Sequence, residues 1–95
     1  MKLAVIYKSR AQRDVKSAID WYQSQRAGLG LGFLICLEAA EAKIQQQSEL
    51  YPIVHANFRR ILLQRFPYSV IYLIEKRTIF IFSVFDNRQD PHKLP

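Results

Sequence analysis

Apolar residues in the first half of the chain recur with the spacing of an α-helix. One stripe follows Ser9, where the S-x-x-Q form of a capping box marks a helix start, and a second begins at Phe33 and continues to about residue 47. The first stripe consists of Val15, Ala18, Ile19 and Tyr22, and the second of Phe33, Leu37, Ala40 and Ile44. The pattern therefore predicts two amphipathic helices in succession.

A glycine-rich stretch, AGLGLG at positions 27–32, separates the two predicted helices. The glycines alternate strictly and follow a helix, so neither the G-x-G-x-x-G pattern nor the lysine of a phosphate-binding loop is present. We expect a tight turn that makes the helices an antiparallel hairpin. Pro52, in SELYP, forbids further helix after the second one.

The second half of the chain is rich in β-branched and aromatic residues. Three runs, 57–66, 68–74 and 78–85, predict an antiparallel meander, and the run 2–8 predicts a further strand at one side of it. The predicted order is β-α-α-β-β-β. We expect a single α+β domain spanning residues 1–95, in which an antiparallel sheet packs against a two-helix hairpin.

Two details of these runs carry further predictions. In RFPYSVIY, Pro67 marks the bend between two paired strands, with Arg65 and Phe66 closing the first and Tyr68 opening the next. Both faces of the strands carry apolar side chains. In a sheet with one solvent-exposed face, apolar and polar residues alternate more regularly along each strand. We therefore expect the second face to be covered by a partner segment or by another copy of the chain.

Composition limits the classes of function. The 95 residues include 14 Lys+Arg and 8 Asp+Glu, a net charge of +6. Such a balance suits nucleic acid or an acidic protein surface, or is ordinary solubilising charge. The lone Cys36 excludes a disulfide framework and a multi-cysteine zinc site, and is interpreted as a small buried apolar residue. No metal or cofactor is predicted.

The apolar runs are also too short for membrane insertion. LAVIY at positions 3–7 does not reach the length of a signal-peptide core, and no run approaches the roughly 18 residues of a membrane span. We expect a soluble cytoplasmic protein with no membrane partner.

Isolated polar residues give weak signals for catalysis. His55 and His92 are far apart in sequence and are interpreted as solvent-facing or capping histidines. Asp86 and Asp90 are interpreted as part of a polar turn around Pro91 rather than as paired catalytic carboxylates.

The stronger candidate site is a set of cationic and phenolic residues in the second half of the chain. It comprises Arg59, Arg60, Arg65, Tyr68 and Arg88. If adjacent strands bring these residues together, the patch can bind a phosphate backbone, stabilise developing charge on phosphorus, or bind carboxylates of an acidic protein. The alternative is that the arginines only keep the strand edges soluble.

Several stretches in combination resemble the RelE/ParE superfamily of toxins from bacterial type II toxin–antitoxin systems. Within the superfamily, the sequence is more similar to the ParE side. They span most of the chain. The stretches are SRAQRDVKSAIDWY (9–22), AGLGLGF (27–33), YPIV (51–54), FRRILLQRFPYSVIYLI (58–74) and IFIFSVFDNRQDP (79–91).

This resemblance implies the β-α-α-β-β-β fold and a cognate antitoxin that binds the toxin, in a toxin–antitoxin hetero-oligomer. ParE-like members act on DNA gyrase, whereas RelE-like members cut messenger RNA on the ribosome with basic residues and a tyrosine or histidine. A degenerate toxin that only binds its antitoxin is a third hypothesis. Growth inhibition of the plasmid-stabilisation type, with gyrase as the target, is the favoured interpretation.

The resemblance also assigns residues. Arg60, Arg65 and Arg88 match arginines of the family stretches, and in a ribonuclease Tyr68 would be the proton-transfer group. Relatives often carry a histidine where this chain has Asp86, and an aspartate, with a reference pKa of about 3.9, is a poor acid near neutral pH. The ribonuclease interpretation is weakened accordingly. For binding a target or antitoxin, the candidates are Arg59, Arg60, Arg65, Tyr68, Asp86 and Arg88.

Overall fold

The computed structural model describes residues 2–90 and His92, and the predicted element order is confirmed with one additional strand. The elements are β1 (Ala4–Tyr7), α1 (Ser9–Gln25), α2 (Leu29–Gln46), β2 (Ile53–His55), β3 (Phe58–Leu62), β4 (Tyr68–Glu75) and β5 (Thr78–Asp86). The three-residue strand β2 was not predicted, because all its side chains are exposed and no alternation marks it. The fold is α+β, as expected.

The five strands form one sheet in the order β1-β5-β4-β3-β2. Strands β3, β4 and β5 form the predicted antiparallel meander. Strand β1 joins the side of the meander, but it runs parallel to β5. The sheet is therefore mixed rather than wholly antiparallel.

The two helices form the expected hairpin, although their starts differ from the prediction. The predicted capping box at Ser9 is wrong, because Ser9 is already helical and Lys8 is the N-cap. No side chain forms a capping hydrogen bond at this end of the helix. Helix α2 begins at Leu29 instead of Phe33, with Gly28 at φ 94° as its N-cap. That left-handed conformation suits glycine and lets the chain reverse within a few residues.

Four aromatic rings connect the helices to the sheet. The ring of Tyr22 on α1 lies 4.8 Å from that of Phe66 and 5.7 Å from that of Phe33 on α2, measured between centroids. Phe33 also contacts Phe66 at 5.3 Å and Tyr68 at 5.0 Å, both edge to face. All four side chains are buried. This aromatic cluster fixes the start of β4 against the hairpin.

The link between β3 and β4 is longer than the sequence predicted. Pro67 does lie at the bend between paired strands, but β3 ends at Leu62, so Arg65 and Phe66 belong to the link and do not close the strand. Arg65 has φ 71°, a left-handed conformation. The link bends there because Phe66 turns inward into the aromatic cluster while Arg65 remains exposed.

The face of the sheet away from the helices is apolar, as expected. Phe58 on β3 packs edge to face on Phe82 at 5.0 Å, and the Lys8 ammonium lies 4.8 Å from the centroid of Phe80. All three phenylalanines are half-buried. The chain thus covers part of this face itself, and its coverage by a partner stays a prediction.

The close approach of α1 and α2 gives a test of the packing. A Cβ added at Gly30 would lie 3.0 Å from the Ile19 carbonyl oxygen and 3.2 Å from Gln23 Cβ. Gly30→Ala should lower stability by about 1 kcal/mol, because overpacking of about 1–3 kcal/mol outweighs the helix preference of alanine. Urea unfolding midpoints measure the effect.

Gly32→Ala is the matched control. Its added Cβ would meet only Phe66 Cζ at 3.9 Å, an ordinary contact, so alanine should leave the midpoint unchanged or raise it by up to about 1 kcal/mol. Equal effects of the two substitutions would contradict this account of the helix contact.

Candidate interaction site

A cleft of about 520 Å³ opens between helix α1 and the C-terminal half of β5. Its walls are mainly polar and aromatic side chains. They include Arg10, Asp14, Ser17, Trp21, Tyr68, Ser83, Asp86, Arg88 and Gln89. Of the residues proposed from the sequence, Tyr68, Asp86 and Arg88 therefore lie together.

An ion pair lies at the rim of this cleft. The Arg88 guanidinium donates from Nε and Nη2 to the two carboxylate oxygens of Asp86, at 2.9 and 2.8 Å, and the backbone N–H of Arg88 donates to Asp86 as well. The guanidinium carbon lies 5.8 Å from the ring centroid of Trp21, which is 49% exposed. Asp86 thus fixes Arg88 beside an exposed aromatic ring.

The pKa values of the cleft residues follow from this arrangement. Hydrogen bonding to Arg88 lowers the pKa of Asp86, and the carboxylate raises the pKa of the Arg88 guanidinium in turn. Burial, together with the Asp86 charge, raises the pKa of the Tyr68 phenol, although Arg88 opposes the rise. Tyr68 is therefore a neutral phenol at pH 7. Because its pKa is raised, a smaller fraction of it is phenolate at that pH than for a free tyrosine.

Asp14 is a cleft residue that the sequence did not single out. Strand β1 covers β5 only as far as Ile81. Beyond that point, Asp14 Oδ2 accepts hydrogen bonds from the Val84 backbone N–H and from the Ser83 hydroxyl, both at 3.0 Å. Its carboxylate thus accepts a hydrogen bond from a backbone N–H of β5 that β1 no longer covers, and this bond holds α1 against β5. Trp21, the neighbour of Tyr22 in the sequence, was likewise not among the predicted site residues.

The other arginines that were proposed from the sequence, Arg59, Arg60 and Arg65, do not line this cleft. Arg59 donates from Nη1 to the carbonyl oxygens of Glu49 and Tyr51, at 2.9 and 2.7 Å, so it anchors the segment before β2. Arg60 is the next residue along β3, and its side chain points to the opposite face because strand residues alternate. Arg65 lies in the link, with its guanidinium carbon 5.7 Å from the Phe66 centroid. Of the predicted patch, Tyr68 and Arg88 line this cleft, whereas Arg59, Arg60 and Arg65 lie elsewhere.

Other predicted residues have local roles. Cys36 is half-buried rather than fully buried. His55 and His92 are exposed, as expected, and the His92 backbone N–H donates to Asp90 Oδ1. Pro91, around which a polar turn was predicted, lies outside the described residues.

The described residues contain no group of three or more His, Cys, Asp or Glu side chains placed to hold a metal ion. Within the same part of the chain, no helix has both the length and the apolar character needed to cross a membrane. The cleft offers hydrogen bonds, the guanidinium groups of Arg10 and Arg88, and an aromatic surface, which are means of binding.

The fold is shared with a chain of known structure. A solved chain described as "Chromosomal ParDE TA system from P. aeruginosa" superposes with a TM-score of 0.79 at 17% sequence identity, covering 90% of this chain and 96% of that one. At this identity the likeness shows the fold. No curated protein matches the sequence.

The sequence profile of the family described as "ParE toxin of type II toxin-antitoxin system, parDE" matches residues 5–91. The chain belongs to the ParE toxin family. The resemblance to the ParE side of the RelE/ParE superfamily is thereby confirmed.

The Asp86–Arg88 pair predicts a pH dependence of stability. Because the pKa of Asp86 is lower in the folded chain than its ordinary value of 3.8, the pair contributes above about pH 4 and its contribution is lost as the pH falls through the folded pKa. Asp86→Asn should therefore reduce stability at pH 7, by less than about 1 kcal/mol for such an exposed pair, and much less at pH 3.

Urea unfolding midpoints at the two pH values measure this difference. Asp90→Asn is the control, since it removes a surface carboxylate that, among the described residues, accepts only from the His92 backbone. An Asp86→Asn effect of equal size at pH 7 and pH 3 would contradict the assigned role of the ion pair.

Proposed function

We propose that this ParE-family chain is a growth-inhibiting toxin that acts in the cytoplasm by binding DNA gyrase, and that a cognate antitoxin neutralises it in a hetero-oligomer. Family membership supports the toxin class. Inhibition by binding, rather than cleavage of RNA, is supported by the arrangement of the cationic side chains.

The observation that carries the proposal is the dispersal of the arginines that were proposed from the sequence. A phosphodiester-cleaving site needs cations and a proton-transfer group aimed at the same reacting atoms. Here Arg59 bonds to backbone carbonyls, Arg60 lies on the other face of β3, and Arg88 is paired with Asp86. The phenol that lines the cleft, that of Tyr68, has a raised pKa. These features suit a binding surface better than a nuclease.

The cleft rim has the composition of a protein-binding hot spot. Tryptophan and arginine are enriched among the residues that carry most of the binding energy at interfaces. The Arg88 side chain is 54% exposed and Trp21 is 49% exposed, and both are held in place by neighbours. A partner that covers them would bury an aromatic ring and a fixed cation at low cost in side-chain entropy.

Inhibition of DNA supercoiling tests this function. The purified toxin, in stoichiometric excess, should block supercoiling of relaxed plasmid by gyrase. Arg88→Ala or Trp21→Ala should raise the concentration needed for half inhibition by at least about tenfold, because each removes an anchor of hot-spot type. Titrations of each variant against gyrase give the values.

Lys16→Gln is the matched control, because it also removes one positive charge from an exposed site. Lys16 pairs with Asp20 on α1 and does not line the cleft. Its titration should match that of the unaltered chain. Unaffected supercoiling at excess toxin would overturn gyrase as the target, and absence of growth arrest on expression would favour the degenerate toxin that only binds its antitoxin.

A second experiment separates binding from ribonuclease action. If Tyr68 transferred a proton, Tyr68→Phe would reduce toxicity by about 100-fold or more. We expect Tyr68→Phe to retain growth arrest, and primer extension on translated messages to show no codon-positioned cuts. Such cuts, abolished by Tyr68→Phe, would establish the RelE-type alternative instead.

A further inference from the structure

The Arg88 guanidinium directs its most selective edge at a residue of its own chain. Its Nε and Nη2 donate in parallel to the two carboxylate oxygens of Asp86, at 2.9 and 2.8 Å. Such a pair of parallel N–H groups is the fork with which arginine binds a phosphate or a carboxylate at two points. The Asp86 carboxylate therefore occupies the place where a phosphate would bind Arg88.

Asp86 lies beneath the arginine that it binds. Its side chain is 17% exposed, whereas that of Arg88 is 54% exposed. Asp86 Oδ1 also accepts a hydrogen bond from the backbone N–H of Arg88 at 3.0 Å, and the strand register places Asp86 opposite Tyr68. The carboxylate thus belongs to the wall of the cleft, while the guanidinium is accessible from solvent.

The turn between the two charged residues is fixed as well. The backbone N–H of Asn87 donates to the Pro67 carbonyl at 2.7 Å. The hydroxyl of Ser69, which is fully buried, donates to Asn87 Oδ1 at 2.6 Å. Because Asn87 is bonded on both its backbone and its side chain, Asp86 and Arg88 keep their relative position without an external partner.

Apart from Asp86, the cleft has the side chains of a site for single-stranded nucleic acid. Among the described residues, its cations are Arg10 and Arg88, its hydroxyl groups include those of Ser17 and Tyr68, and its exposed ring is that of Trp21. Arginine and hydroxyl groups bind phosphate oxygens, and an exposed aromatic ring stacks on a base. The volume of about 520 Å³ is in the range of small-molecule sites.

The second carboxylate of the cleft has a different role. Asp14 accepts from the Val84 N–H and the Ser83 hydroxyl, so it belongs to the contact between α1 and β5. Asp86 is the carboxylate that occupies the fork of Arg88.

The net charge gives such a carboxylate a purpose. A chain with a net charge of +6 attracts nucleic acid at long range. A toxin whose target works on DNA meets a large excess of phosphates. Unless its binding surface discriminates against them, nucleic acid would compete with the target for that surface.

We propose that Asp86 is a specificity-determining residue, which excludes nucleic-acid phosphates from the cleft and so keeps Arg88 and Trp21 accessible to a protein partner. The inference rests on the proposed function in that it takes the cleft as the surface that binds the target. Asp86 fills the fork of Arg88, and its charge repels a phosphate that approaches the same guanidinium. Removal of this one carboxylate converts the cleft into a site for single-stranded nucleic acid.

Affinity for an oligonucleotide tests the proposal on the full chain. Asp86→Asn keeps an oxygen for the Arg88 backbone N–H but leaves the fork without a carboxylate. It should bind a strand of ten deoxythymidine nucleotides at least about tenfold more tightly than the unaltered chain, since a two-point contact between arginine and phosphate is gained. Trp21 is the sole tryptophan, so quenching of its fluorescence reports binding in the cleft itself.

Asp20→Asn is the matched control. It also removes one negative charge and breaks an ion pair, that with Lys16 at 2.7 Å, but neither residue lines the cleft. It should change the affinity by less than about threefold, because salt screens such exposed charges. The slope of log affinity against log salt should steepen by about 0.7 in Asp86→Asn, as expected for one further phosphate contact, and stay unchanged in Asp20→Asn.

Two further variants keep the test decisive. If Asp86→Asn does not fold, Asp86→Ser should give the same gain, because a serine hydroxyl can also accept from the Arg88 backbone N–H. Addition of Arg88→Gln to Asp86→Asn should abolish the gain, since the fork is then absent. Circular dichroism and urea midpoints establish which variants fold.

Four results would each overturn the proposal. They are no gain on removal of the Asp86 carboxylate, an equal gain in Asp20→Asn, a gain that survives Arg88→Gln, and binding by the unaltered chain as tight as that by Asp86→Asn.

Supercoiling assays separate this inference from the proposed function. Added oligonucleotide should raise the concentration of Asp86→Asn toxin needed for half inhibition of gyrase and leave that of the unaltered chain unchanged. If no form of the toxin inhibits gyrase, the proposed function fails, while the oligonucleotide titrations still decide the role of Asp86. If the toxin inhibits gyrase and oligonucleotide affinity does not depend on Asp86, the inference is wrong and the proposed function stands.

Discussion

The contact of four aromatic rings, Tyr22, Phe33, Phe66 and Tyr68, is the interaction on which the rest of the structure depends. Each ring comes from a different segment: α1, α2, the β3–β4 link and the first residue of β4. Centroid separations of 4.8–5.7 Å for the closest four pairs place the rings in the range where edge-to-face and stacked pairs are favourable. Because the cluster connects the hairpin with the sheet, it determines where α1 lies along β5, and thereby where the cleft opens.

The candidate site is an outward extension of this cluster. Trp21 packs edge to face on Tyr22 at 5.0 Å, while Tyr68 has its ring in the cluster and its hydroxyl end in the cleft. The register places Tyr68 opposite Asp86, which in turn orients Arg88. Each exposed group at the rim is thus one contact away from the core. A surface supported in this way loses little conformational freedom on binding, which favours recognition of a protein partner.

The sequence predicted most of the fold because its signals were local. Helical periodicity located α1 and α2, and Ile-, Val- and Phe-rich runs located β3, β4 and β5. Features that depend on tertiary contact were missed. The weak helix preference of glycine obscured the start of α2, although Gly30 is there because α1 leaves no room for a side chain. Likewise, nothing in the spacing of Arg59, Arg60 and Arg65 revealed that alternation along β3 and an early strand end separate them from Arg88.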